Sequence, residues 1–125
     1  MGKSVHDDVL DAMLNYVKNN ATRISVCSSE PTTYAEATST YKLAIKTISS
    51  SDFTGPANGD TSGRKITVNQ AANINVDSSG TAQHVALSDS NNSKLLYVTT
   101  CTSQALTAGN TVTIPAWDIE VSDPT

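Results

Sequence analysis

Only one stretch of this chain, from Ser4 to about Asn19, repeats apolar residues at a helical spacing. Everything after it is short β-prone runs cut by turn residues. A helix followed by many short strands restricts the chain to a sheet-based fold with the helix laid on one face. In the helical stretch Val9, Met13, Tyr16 and Val17 fall on one stripe, and Leu10 and Leu14 widen it. Ser4 is the expected N-cap, with Asp7 three positions on as an Asp version of a capping box. Asp7, Asp8 and Asp11 lie where the helix dipole favours negative charge, and Lys18 lies at the opposite end. Asn19 and Asn20 stop the helix, and its stripe is expected to pack on a sheet.

The strands expected downstream are residues 23–28 (RISVCS), 41–49 (YKLAIKTIS), 64–69 (RKITVN), 72–76, 81–89 (TAQHVALSD), 94–102 (KLLYVTTCT), 111–114 (TVTI) and 116–121 (AWDIEV). In the second of these, Tyr41, Leu43, Ile45 and Thr47 share one face, and Lys42, Ala44, Lys46 and Ile48 the other. Residues 34–37 can form one helical turn. Residues 50–63 (SSDFTGPANGDTSG) read as a long loop, too long for a tight turn and either disordered or a binding loop, with Phe53 anchoring it to the body. The spacing of roughly 8–12 residues between strands is that of a sandwich or barrel. The expected fold is therefore mainly β: an antiparallel, jelly-roll-like β-sandwich over about 22–123, with one N-terminal helix packed on it. The 125 residues are expected to form a single domain, since that length suits one modest core.

Composition narrows the function. Ser and Thr make up about a quarter of the chain, and charged residues only 16%. A weakly charged Ser/Thr surface is cheap to desolvate against another protein. The net charge is -4, and the basic residues are scattered, with only Arg64 and Lys65 adjacent. A nucleic-acid binder shows a basic stripe, so no nucleic-acid partner is expected. No apolar run approaches the ~20 residues of a membrane span, so no membrane partner is expected. The first residues are polar and acidic, without the basic and apolar regions of a signal peptide, so synthesis and assembly in the cytoplasm are expected.

No pattern in the chain carries catalytic chemistry. His6, Asp7 and Asp8 are adjacent, so a helix fans them apart instead of converging them on a metal. His84 lies mid-strand, and its expected role is a half-exposed histidine bonded to a neighbouring loop. There is no GxSxG, P-loop or GxGxxG; Gly55, Gly59 and Gly63 are spaced by four and belong to coil. Cys27 and Cys101 follow no CxxC spacing and read as two strand thiols. No enzyme activity, cofactor or metal is expected. Trp117 is the one large side chain with a polar handle; core packing is the ordinary role for it, and an interface anchor the alternative. Its neighbours Pro115 and Ile119 lie in a last strand, which is often an edge open to a partner. With Phe53 and Pro56 of the 50–63 segment they make up the expected protein-contact residues.

One resemblance adds to this. Residues 84–89 (HVALSD), 95–100 (LLYVTT) and 106–120 (LTAGNTVTIPAWDIE) run strand, loop, apolar strand, Gly-centred turn and closing strand pair. The first half agrees, with its N-terminal helix, a strand ending near Glu30-Pro31, Tyr34 and Tyr41, and Phe53-Thr54-Gly55. The pattern resembles small structural proteins of tailed-bacteriophage virions, most of all capsid decoration (cement) proteins. The resemblance implies a structural virion protein that stabilises the head shell as a homo-oligomer, with the major capsid protein or other virion proteins as partners. A neck, collar, tail or baseplate component is the alternative, and a carbohydrate- or receptor-binding module is the reading from another class.

Overall fold

The computed structural model describes residues 2–124. Among the described residues one α-helix, α1 (Asp7–Asn20), precedes nine strands: β1 (Arg23–Cys27), β2 (Lys42–Thr47), β3 (Phe53–Asn58), β4 (Arg64–Val68), β5 (Ala71–Asn75), β6 (Gly80–Asp89), β7 (Lys94–Leu106), β8 (Thr111–Ile114) and β9 (Trp117–Val121). All ladders are antiparallel. They form a four-stranded sheet β2-β1-β6-β7, a three-stranded sheet β3-β4-β9 and a pair β5-β8. The chain is thus mainly β and sandwich-like, with the helix at its N-terminal end, as the sequence predicts.

Helix α1 starts later than expected, and Ser4 is not its cap. His6 takes that place, its Nδ1 accepting the Asp8 N–H at 3.0 Å. An imidazole nitrogen can do what a hydroxyl does, since either offers a lone pair to an orphan N–H. The helix buries Leu10 and Leu14, with Val17 packed partly against the core, and leaves Val9, Met13 and Tyr16 about half exposed. The stripe expected from the spacing was centred one position off: the buried line is 10, 14 and 17, not 9, 13 and 16. This face lies on the β3-β4-β9 sheet. Two polar ties fix it there. Arg64 donates from Nε to Asp11 at 2.8 Å and from Nη2 at 3.3 Å, and Lys18 Nζ donates to the Gly55 carbonyl at 2.9 Å.

Residues 50–63 are the main departure from expectation. A short 3-10 turn (Ser50–Asp52), held by a reciprocal Ser49/Asp52 capping box, leads into strand β3. Phe53 does anchor the segment, buried opposite Val68. The long loop shrinks to residues 59–63. Gly55 and Pro56 disguise the strand: their peptide bond is cis, Gly55 has φ +106°, and the β3–β4 register shifts between Thr54 and Ala57. Gly-Pro reads as a breaker in sequence, yet at a bulge on an edge strand neither residue needs to donate to the ladder.

The expected helical turn at 34–37 is present and continues as a π-type turn, Glu36–Thr40, whose Ala37 is fully buried. It covers the face of the four-stranded sheet that carries Ser25 and Cys27, where the Cys27 thiol donates to the Ala37 carbonyl at 3.6 Å. Small side chains at Ser25, Cys27 and Ala86 let that segment lie close. Leu43 and Ala44 are therefore both buried, so β2 is not the two-faced strand its alternation suggested. One contiguous cluster, from Leu14 to Ile119, joins the helix and both larger sheets.

The hairpin turn after β6 rests on Asp89. Its carboxylate accepts the Asn91 N–H at 2.9 Å, the Asn92 N–H at 3.3 Å and the Asn92 side-chain amide at 2.8 Å. The Asn92 amide foremost, with the two backbone N–H groups and Lys94, holds the Asp89 carboxyl below its ordinary value of 3.8. A depressed carboxyl stabilises the fold above its unfolded value and loses that contribution as pH falls through its folded value. The expected result is a melting temperature that declines below about pH 4, with a shallower decline in Asp89→Asn, followed by circular dichroism.

Candidate interaction site

Six of the nine strands, all but β3, β4 and β9, follow one another almost into a ring. Ladders join β7 to β6, β6 to β1 and β1 to β2. From β2 the contact passes to the end of β5 through the Ala44–Val76 bridge and the Asp77 N–H, which donates to the Leu43 carbonyl at 2.7 Å. β5 then pairs with β8. β7 and β8 leave a common turn at residues 107–110 but are not partners of each other. The ring therefore has a gap between them, and a cavity of about 470 Å³ opens there.

Val26, Ala82 and Val85 line that cavity from the core side. Thr99 to Thr102 of β7 form one wall, and Val112 to Ile114 of β8 the other. Side chains of a strand alternate between faces, so a cavity touching three consecutive residues of β8 meets that strand along its edge. β7 reaches the same position by a bulge: between the pairs Ala82–Gln104 and His84–Thr100 it runs through Cys101, Thr102 and Ser103 against the single residue Gln83. Both walls thus present strand edges that no strand of this chain pairs, among the described residues.

Two of the predicted contact residues are here. Pro115 is exposed and lines the slot. Trp117 is half-buried, lines it too, and stacks on Tyr97 of β7 with ring centroids 5.8 Å apart and planes 30° apart. The Trp117 Nε1 is buried and has no hydrogen-bond partner among the described residues. The other three are elsewhere. Phe53 and Ile119 belong to the core, so the expectation that they offer contact surface is corrected: each points inward from its strand, at 5% exposure. Pro56 is half-buried at the β3 bulge and does not line the slot. The slot walls themselves carried no motif. The signal for them is the run 95–106 (LLYVTTCTSQAL), which has neither a charge nor a proline to guard an edge.

Sequence reasoning also missed a carboxylate group. Asp60, Asp118 and Glu120 have ligand oxygens within 4.8 Å of one another, all exposed. Asp118 and Glu120 are two apart on β9 and so share a face, opposite Thr67 and Lys65. Lys65 Nζ donates to Asp60 at 2.7 Å and to Asp118 at 3.4 Å, while the Asp60 N–H donates to Glu120 at 2.7 Å. The Lys65 hydrogen bond and charge lower the Asp60 carboxyl, and Asp60 in turn raises Lys65. The lysine ammonium already fills the place a cation would take between two of the three, so the group is a solvated ion-pair network with two negative charges left over.

His84 is half-buried on β6 opposite Cys27 and Thr100, with its Nδ1 buried and unpartnered among the described residues, so the expected bond to a loop is not made at that nitrogen. Burial pushes the Cys27 thiol up, and also the Cys101 thiol. A raised thiol is a poor nucleophile, because the thiolate is the reactive form. Among the described residues no helix is long and apolar enough to cross a membrane. No family model matches the chain, and neither a curated protein nor a solved structure matches it.

Proposed function

We propose that this chain is an assembly protein that binds a protein partner through the slot between β7 and β8, and that it serves as a capsid decoration protein of a tailed bacteriophage. The observation that carries the first part is the slot itself. An apolar cavity bordered by strand edges suits a polypeptide, whose backbone can pair with those edges. The weakly charged Ser/Thr surface fits the same use. The second part rests on the sequence resemblance to small virion proteins. In that role the partner is the major capsid protein, the location is the virion, and many repeated weak contacts supply the hold on the shell.

Mass spectrometry of purified particles tests the assignment. A decoration protein is expected in a copy number comparable to that of the shell protein. A count of about a dozen or fewer, the number a ring at the neck or tail requires, would sink the decoration role.

A further inference from the structure

We infer that α1 is a self-association surface: its outer stripe packs antiparallel against the same stripe of a second copy of this chain, about a two-fold axis. Val9, Met13 and Tyr16 are 55%, 51% and 47% exposed, and they are the large apolar side chains left open to solvent among the described residues. Apolar residues scattered singly on a surface are ordinary. These three are not scattered: all fall on one line of one helix, with the exposed Ala12 beside them. Positions 9, 12, 13 and 16 are the i, i+3, i+4, i+7 set that a helix turns towards a packing partner. The same helix already buries Leu10 and Leu14 in the core, so this second stripe packs on nothing inside the chain.

Two features select a second copy as the occupant. The first is the order of the stripe. Laid antiparallel on itself, Val9 of each copy meets Tyr16 of the other, and Ala12 of each meets Met13 of the other. Every contact then occurs twice, as an isologous interface requires. The small Ala12 lets the two backbones come close, and the flexible Met13 fills the space left. The second is charge complementarity. Asp8 precedes Val9, and its side chain is 87% exposed. The neighbouring His6 Nδ1 accepts the Asp8 N–H, and an accepting nitrogen carries no proton to neutralise the carboxylate. At the other end of the stripe the exposed Lys94 holds its Nζ 3.4 Å from the Tyr16 hydroxyl and makes no ion pair among the described residues. Antiparallel packing brings Asp8 of each copy to Lys94 of the other, whereas parallel packing would set like charges side by side. A membrane is the poorer occupant, since the net charge of -4 and the acidic first turn are repelled by anionic headgroups. None of these residues lines the β7–β8 slot, so the inference rests neither on that slot nor on a virion role. Two helical turns cover less than the ~800 Å² per partner of a standard interface, so the dimer is weak, half formed at roughly 10–500 µM.

The experiment is sedimentation velocity of the whole protein from about 10 µM to about 1 mM, the range that brackets the expected affinity. The weight-average mass should rise from monomer towards dimer and go no further, because a two-fold contact closes on itself. Met13→Lys sets two lysines near the axis and should weaken the dimer tenfold or more. Lys matches Met in helix propensity and Met13 is half exposed, so melting curves in dilute solution should be unchanged. Asp8→Lys and Lys94→Glu should each weaken the dimer several-fold. The two changes combined in one chain should restore it to within about twofold of the unaltered protein, which a loss of fold in either single variant could not do. Lys46→Glu, exposed on the distant β2, should leave the dimer unchanged. A monomer up to about 1 mM would overturn the inference, as would growth past the dimer or a dimer indifferent to Met13→Lys. Loss in both charge variants without recovery in the combined one would overturn it too, since the antiparallel register would then be wrong.

Discussion

Leu87→Ala should cost about 3–5 kcal/mol of folding stability, the largest loss expected from any single truncation in this chain. Leu87 is fully buried near the C-terminal end of β6, between Ile24 of β1 and Tyr97 of β7. β6 is a central strand of its sheet, so both its neighbours are fixed by ladders and cannot close on a void. The truncation removes buried apolar surface and leaves a cavity beside the Tyr97–Trp117 stack. A domain of this size has a total stability of about 5–15 kcal/mol, so the variant should be marginal at 37 °C. Urea unfolding of both proteins measures it, with the midpoint shifted and the slope unchanged. A loss under about 1 kcal/mol would mean that β6 is not central. Thr102→Ala, on the exposed bulge of β7, should change stability by less than about 0.5 kcal/mol.

That contrast shows which parts of the fold were legible in the sequence. Residues 81–89 and 94–102 announce strands because Val85, Leu87, Tyr97 and Val98 recur with β-branched and Thr neighbours. The helix announces itself by periodicity. Its exact face did not, because six apolar residues on one helix, Val9 to Val17, fit two overlapping stripes. Only the sheet beneath chooses between them, and it chose Leu10 and Leu14. The strand at 53–58 was hidden because Gly55 and Pro56 are local stop signals, while the pairing that overrides them comes from β4, several residues further on. The slot was half legible. Pro115 and Trp117 stood out by residue type. The edges of β7 and β8 did not, because which strands lack a neighbour is decided by pairings far apart in the chain, such as Ala44 with Val76. The carboxylate group shows the same limit, since Asp60 and Glu120 meet only through the β4–β9 ladder.

Gly63→Ala should be the most disruptive substitution in the loops, at about 2–4 kcal/mol, and it tests the segment that sequence reasoning misread. Gly63 closes the short turn between β3 and β4, where the Gly59 N–H donates to the Gly63 carbonyl at 2.9 Å. Two separate costs fall on a side chain there. The first is conformational: Gly63 has φ +68°, which costs an L residue about 1–2 kcal/mol. The second is steric. A Cβ would land on the Val121 carbonyl oxygen at the end of β9, and that atom is backbone and cannot swing away. Relief requires moving β9 away from Arg64, its partner at that point, and with it the strand that carries Trp117. Gly109→Ala separates the two costs. Gly109 has φ +93°, but its Cβ would meet nothing within 4 Å, so the conformational cost acts alone, about 1–2 kcal/mol. Gly63→Ala should therefore melt below Gly109→Ala, and it should also disturb the Trp117 fluorescence of the folded state, which Gly109→Ala should leave unchanged. Equal melting temperatures would show that β9 yields without cost at Val121, and that the β4–β9 ladder does not fix the wall of the slot.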